Sequence, residues 1–285
     1  MAAGLLDAWR QITCPVVGML HLPALPGSPA FDGSCQEIEA AVLRDAEALA
    51  EGGVHGLLLE NYGDVPFFPG RVPREVVACM TACAVAVRKR FQLPLGINVL
   101  RNDGESALAV ALAADAQFIR VNVLTSARLT DQGVVAGIAH RLLRLRRSLG
   151  TEAVRILADV DVKHSSALAP SSLPDDVREL VERGCADAVI VSGQATGAAI
   201  CRSDLQQVRE AVPAVPVWIG SGVTILQLPE LLPQTDGVIV GSSLKVNGEV
   251  QLPVDRDRVA QFMARHQEIA SQPPTSERER RVPQL

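Results

Sequence analysis

The chain is poor in lysine. It has three, Lys89, Lys163 and Lys245, against 24 arginines. Arginine stays protonated, so the two lysines that fall just past apolar runs, Lys163 and Lys245, raise a chemical question. No apolar run approaches the roughly 18 residues of a membrane span. Neither sign of charge dominates: the formal net charge is −5 with acids and bases mixed, and there is no basic footprint for nucleic acid. No Gly-x-Gly-x-x-Gly follows the first apolar run, which argues against a dinucleotide fold and leaves no nicotinamide or flavin signature. The six cysteines (14, 35, 79, 83, 185 and 201) are scattered. Cys79 and Cys83 are not at zinc-knuckle spacing, and the set reads as small buried reduced thiols. A reducing, cytoplasmic location follows by default, with little room in residues 1–13 for a signal or transit peptide. No metal-ligand set is evident, although a divalent ion is compatible with the acids described below.

What is present is a β/α alternation. Strand-like runs occur at Val16–Leu20, Gly56–Glu60, Leu95–Val99, Phe118–Val123, Ile156–Val162, Ala188–Val191, Val217–Ile219 and Gly237–Val240. Helix-period segments follow at about 35–51, 72–90, 104–114, 131–149, 174–184, 203–211, 224–232 and 255–269. Eight such units in one chain of 285 residues favour an α/β fold, a single (β/α)8 TIM barrel, over an open sheet. The expected layout is a short N-terminal segment (1–13), a barrel (14–270) and a polar, proline-containing disordered tail (271–285).

Two glycine-containing turns carry the clearest functional signal. Ile219-Gly220-Ser221-Gly222 and Val240-Gly241-Ser242-Ser243 end the seventh and eighth runs. Glycine admits close backbone approach, and a following helix start offers N–H groups to an anion. That is the position of the phosphate site in (β/α)8 barrels, so Gly220, Ser221, Gly222, Gly241, Ser242 and Ser243 are the candidate phosphate ligands. The other run ends are also polar. The fifth alternates so that Leu157, Asp159, Asp161 and Lys163 point inward, which reads either as an ion-pair ladder or as acid/base, metal or Schiff-base chemistry. Arg120 is placed to pair with Asp159, and Asn122 lies nearer the rim. His21, Glu60, Asn98, Ser192 and Gly193 complete the set. His21 alone is more often structural than catalytic, and Glu60 alone fixes a loop as readily as it moves a proton. The long segments His21–Pro29 and Asn61–Gly70 suit either lids or packing against a partner subunit.

Val17-Gly18-Met19-Leu20-His21-Leu22-Pro23-Ala24-Leu25-Pro26-Gly27-Ser28-Pro29, Glu60-Asn61-Tyr62-Gly63-Asp64-Val65-Pro66-Phe67 and Asn98-Val99-Leu100-Arg101-Asn102-Asp103 resemble signatures of the BtpA family, which includes the SgcQ-like proteins. Phe118–Val123, Ala158–His164, Val191-Ser192-Gly193, Ile219–Val223, Val240–Lys245 and Pro253-Val254-Asp255 continue the match, over about residues 14–265. The resemblance implies a phosphate-binding barrel related to ribulose-phosphate-binding enzymes. It also implies a second role, because the family is named for a cyanobacterial factor needed for photosystem I accumulation and held peripherally on thylakoid membranes. Peripheral membrane or organellar placement, and a homo-oligomer, are therefore compatible alternatives. The sequence departs from the family in having Tyr62 where Phe is usual, and Asp161 where His is frequent.

Two functions follow as expectations. The first is a non-redox enzyme of isomerase, lyase or transferase type acting on a small phosphorylated metabolite. Asp159, Lys163, His21 and Glu60 would be its catalytic groups, and Asn98, Asn122, Asp161, Ser192 and Gly193 would bind substrate. The second is a non-catalytic assembly or stabilisation factor. A prenyl-phosphate transferase is a third reading, which would need a long apolar groove.

Overall fold

In the computed structural model, the described residues are 5–162, 165–192 and 202–272. In chain order the elements are β1 (Val16–His21), α1 (Cys35–Glu51), β2 (Gly56–Glu60), α2 (Arg74–Arg90), β3 (Leu95–Asn98), α3 (Gly104–Ala113), β4 (Phe118–Val121), β5 (Ala127–Thr130), β6 (Gly133–Ala136), α4 (Ala139–Ser148), β7 (Arg155–Asp159), β8 (Ser165–Ala167), α5 (Leu173–Glu182), β9 (Ala188–Val191), α6 (Arg202–Ala211), β10 (Val217–Ile219), α7 (Leu228–Leu231), β11 (Gly237–Val240) and α8 (Arg256–Ala270). Strands β1, β2, β3, β4, β7, β9, β10 and β11 close a barrel, each parallel to its neighbours. The expected (β/α)8 fold is therefore observed.

Alternation along each strand sorts the apolar residues into two layers. Val16, Leu20, Leu57, Leu59, Ile119 and Ile156 belong to the large cluster between strands and helices. Val17, Met19, Leu58, Phe118, Leu157, Ile190, Trp218 and Ile239 fill the barrel interior. The interior pairs large side chains with glycine. A Cβ on Gly96 would lie 2.1 Å from the Phe118 ring, and one on Gly237 would lie 2.5 Å from the Trp218 ring. The N-terminal segment completes this packing from below. Leu5, Leu6 and Trp9 join the interior cluster, and the Trp9 ring lies 5.7 Å from Phe118 and 5.2 Å from Trp218. The bottom of the barrel is thus sealed by apolar side chains, leaving the opposite end for polar groups.

Some expectations require correction. The segment read as helix from 131 begins instead with strand β6, and α4 starts only at Ala139. Strands β5, β6 and β8 form a small antiparallel sheet above the barrel. Its hairpin turns at Asp131-Gln132, with Gly133 at φ +88°. The seventh helix is a single turn, Leu228–Leu231, followed by a 3-10 turn, Leu232–Gln234. Pro233 lacks the amide that a continuing α-helix would use. Cys14, Cys79 and Cys83 are buried, but Cys35 and Cys185 are exposed. Cys201 and residues 273–285, most of the expected tail, lie outside the described residues.

His55 ties the N-terminal plug to the barrel. Its carbonyl accepts from Trp9 Nε1 at 2.7 Å, and its Nδ1 accepts from the Val16 amide at 3.0 Å. The ring must therefore be neutral at Nδ1. Burial, and then the nearby His266, lower its pKa from 6.5 to about 4. The pKa is lower folded than unfolded, so the unfolded chain binds more protons between these values, and stability falls as pH falls from 6.5 towards about 4. The variant His55→Gln retains an acceptor but does not titrate. Urea midpoints followed across this window should slope less steeply in the variant than in the wild type; parallel profiles would remove His55 from the account.

Candidate active site

The candidate site is built from the C-terminal ends of all eight barrel strands. His21, Glu60, Asn98 and Asp159 are the last residues of β1, β2, β3 and β7. Asn122, Ser192, Gly220 and Gly241 follow directly on β4, β9, β10 and β11. The register makes His21 the Cα partner of Glu60, and Glu60 the partner of Asn98, so three polar residues stand side by side.

They form two clusters. In the first, Asn98 Nδ2 donates to Glu60 Oε2 at 2.5 Å, and His21 Nε2 lies 3.7 Å from Glu60 Oε1. The Tyr62 ring packs on His21 with centroids 4.7 Å apart. Burial, and secondarily the Glu60 charge, raise the Tyr62 pKa, which keeps it a phenol O–H. In the second cluster Arg120 clamps Asp159, Nε to Oδ2 at 3.0 Å and Nη2 to Oδ1 at 2.9 Å. Asn122 Nδ2 donates to Oδ2 at 3.1 Å and Ser192 Oγ to Oδ1 at 3.2 Å. Burial alone would lower the Arg120 pKa, but the charge and hydrogen bonds of Asp159, with Glu60 adding, raise it instead. Asp159 thus receives four side-chain hydrogen bonds. With both oxygens so engaged, the carboxylate is placed to anchor Arg120.

The glycine turns face these clusters. A Cβ on Gly220 would lie 2.9 Å from Ser192 Oγ and 3.2 Å from Arg120 Nη2. A Cβ on Gly241 would lie 3.0 Å from His21 Cε1. Gly222 has φ +73°, a region that disfavours side chains. Ser221 Oγ is buried with no hydrogen-bond partner among the described residues. The chain after Gly241 makes one 3-10 turn, Ser242–Leu244, whose first internal bond runs from Leu244 N to Gly241 O. The amides of Ser242 and Ser243 precede that bond. Ser243 Oγ donates to Val223 O at 2.6 Å and joins the two turns.

Asp161 does not join this constellation. Strand β7 ends at Asp159. Asp161 is more than half exposed and pairs with Arg128 of β5, so the expected inward ladder stops at Asp159. Burial raises its pKa and Arg128 opposes that shift. Lys163 and Gly193 lie outside the described residues. Lys245 has a different answer from the one its position suggested. Its Nζ is buried against Asp45 Oδ2 of α1 at 3.3 Å and Leu252 O at 3.0 Å.

Several polar motif residues stitch loops together. Asn61 bonds Asp64 and both backbone groups of Leu100, and Asp64 accepts from Leu25 N. Asn102 bridges Val123 and Ala136, while Asp103 caps α3 and holds Val72 N. Two neighbours of the site were not among the candidate site residues drawn from the sequence. Tyr62 is the chain's one tyrosine, a usable signal. Arg101 packs on Phe67 and bonds Gln132 and Asp131 of the hairpin, but that hairpin was itself unforeseen. Among the described residues, no group of three or more His, Cys, Asp or Glu side chains is arranged to hold a metal ion.

The sequence matches the BtpA family model over residues 12–268. The chain belongs to the BtpA family. An uncharacterized protein of Thermococcus kodakarensis is 44% identical over 255 residues, covering 90% of this chain and 96% of that one. The photosystem I biogenesis protein BtpA of Synechocystis sp. is 44% identical over 249 residues, covering 87% of this chain and 86% of that one. Among solved structures, N-(5'-phosphoribosyl)anthranilate isomerase from Pyrococcus furiosus is similar with a TM-score of 0.54 at 14% identity, covering 90% of this chain and 99% of that one. That likeness bears on the fold alone. No helix among the described residues is long and apolar enough to cross a membrane.

The Lys245 assignment has a direct test. Lys245→Met leaves Asp45 buried beside an apolar side chain. It should lower unfolding free energy by roughly 3–5 kcal/mol, as broken buried pairs do. Phosphate-dependent stabilisation, read by thermal shift, should persist. Its loss in a folded variant would return Lys245 to the site.

Proposed function

We propose that this BtpA-family protein is a non-redox enzyme acting on a small phosphorylated metabolite. The observation that carries the reading is the placement of Gly220 and Gly241. Side chains there would press on Arg120, Ser192 and His21, so an anion on these turns would lie beside both polar clusters. The phosphate would take the amides of the Gly220–Gly222 and Gly241–Ser243 turns, with Ser221 Oγ as a further donor.

His21 is the proton carrier in this reading. Glu60 sets its charge and orientation, and Asn98 fixes Glu60. Arg120, anchored by Asp159, stabilises negative charge that develops on the reacting carbonyl or hydroxyl oxygen. Tyr62 supplies a second O–H. Asp159 acts in this reading as a positioning group, although the sequence set it among the catalytic groups. Lys163 stays a candidate on sequence grounds. Proton transfer with oxyanion stabilisation serves isomerase, lyase or transferase chemistry. The structural neighbour from Pyrococcus furiosus, N-(5'-phosphoribosyl)anthranilate isomerase, is by its name in keeping with such a ligand.

The name of the Synechocystis relative favours a second reading, a non-catalytic biogenesis factor. A scaffold, however, gains nothing from buried ionisable groups that open on glycine turns.

A ligand bound to the native state alone raises apparent stability, by about 1.4 kcal/mol at a tenfold excess over Kd. Inorganic phosphate should therefore raise the wild-type melting temperature by a few degrees. Gly241→Val, which crowds His21 and the turn, should lose that increment. Ser221→Ala should melt like the wild type without phosphate and gain less from it. A wild-type melting temperature indifferent to phosphate, or Gly241→Val responding normally, would contradict the reading.

A further inference from the structure

Three cysteines come together where α1 packs on α2. Cys35 opens α1, and Cys79 and Cys83 stand one turn apart on α2. Contacts along both helices fix their register. The Cys79 thiol shares hydrogen bonds with Cys35 and with Cys83. Glu39, one turn on from Cys35, has its charge beside Cys83. Further along, Arg90 Nη2 donates to Glu47 Oε1 at 2.5 Å. The helices thus run in step, with Cys35 level with Cys79, Glu39 with Cys83 and Glu47 with Arg90.

The thiols differ in access. Cys35 is exposed, whereas Cys79 and Cys83 are buried in the core between strands and helices. Burial, and then the hydrogen bond to Cys35, raise the Cys79 pKa; burial raises that of Cys83 to about 11. Both stay thiols, which are slow towards electrophiles, so attack from solvent falls on Cys35. Once Cys35 has reacted, Cys79 is already beside it, and that proximity offsets its weak nucleophilicity. Cys83 is a poor rival for Cys79. Residues one helical turn apart hold their Cβ atoms about 5–6 Å apart, whereas a disulfide needs about 3.5–4.5 Å. Cys35 lies in the first turn of its helix, where the backbone frays most readily and can shift to close a bridge.

We infer that Cys35 and Cys79 are a peroxide-sensitive pair that closes into a disulfide. In the first step the Cys35 sulfur takes one oxygen of hydrogen peroxide. The S–O bond forms, the O–O bond breaks, and the thiol proton leaves on the other oxygen as water. In the second step the Cys79 sulfur attacks the Cys35 sulfur. The S–S bond forms, the S–O bond breaks, and the departing hydroxide takes the Cys79 proton as water. The two thiols lose two electrons, and peroxide is reduced to water. The bridge joins the two helices whose preceding loops leave β1 at His21 and β2 at Glu60, so it restrains the rim beside the first polar cluster.

The full chain is treated with hydrogen peroxide, quenched with catalase, alkylated and peptide-mapped without reduction. The map should show Cys35 bridged to Cys79, and dithiothreitol should reverse the bridge. Cys83→Ser should keep it and Cys35→Ser should lose it. In Cys79→Ala, Cys35 should pass on to the sulfinic acid, because no thiol resolves the first product. Oxidation in urea should favour the short Cys79–Cys83 loop instead, since there only loop length decides. An unreacted Cys35 in the native chain would overturn the inference. So would Cys35 sulfinic acid without a bridge in the wild type, a native Cys79–Cys83 bridge, or a disulfide-linked dimer through Cys35 or Cys185. The wild-type map separates these results even if the Cys79 variant does not fold.

Discussion

The Arg120–Asp159 pair constrains the mouth of this barrel more than any other contact. Both side chains are almost wholly buried, and they meet through two hydrogen bonds across the neighbouring strands β4 and β7. Taking two charges out of water offsets most of what their attraction returns, so packed apolar residues would stabilise the barrel as well. The pair makes structural demands on its neighbours. Asn122 and Ser192 must supply the remaining donors, and Gly220 must remain without a side chain because Arg120 and Ser192 occupy that space. A charge-pair network at this depth is better suited to presenting a guanidinium to a ligand than to holding strands together.

The opposite end of the barrel shows what a stability-driven solution looks like in the same chain. There Trp9, Phe118 and Trp218 fill the interior against Gly96, Gly237 and Gly56, with no charged side chain among them. Such close packing of large against small residues gives a dry, rigid floor. The polar mouth is built on that floor. The eight strand ends are therefore presented from a rigid base, and loops need only close over them. Asn61, Asp64, Asn102 and Asp103 do this by hydrogen-bonding one loop to the next.

The barrel was legible in the sequence because strands buried on both faces read as short apolar runs separated by helical periods. Residues such as Asp159, Glu60 and Asn98 were legible because a polar residue ending such a run has few places to go except the rim. Asp161 was misplaced by carrying the alternation two residues too far; the strand had already ended, and nothing local marks that point. Lys245 drew attention by its rarity, but its partner Asp45 lies 200 positions earlier in the chain, and no local pattern connects them. The accessory sheet escaped for a related reason. Its strands are three or four residues long, and β8 pairs with β5 across the whole of α4 and β7. The anchoring of Asp159 was also not legible, since it depends on four hydrogen bonds that converge on it from two other strands, β4 and β9.

The central claim is that the Arg120–Asp159 pair serves a ligand and not the fold. A double-mutant cycle with Arg120→Met and Asp159→Leu tests it most directly, with urea unfolding and phosphate-dependent thermal shift measured on all four proteins. Each single variant leaves a buried charge without its partner and should lose roughly 3–5 kcal/mol. The double variant should recover to within about 1 kcal/mol of the wild type, or exceed it, and should no longer be stabilised by phosphate. A double variant as unstable as the sum of the singles, or one that still responds to phosphate as the wild type does, would contradict the account.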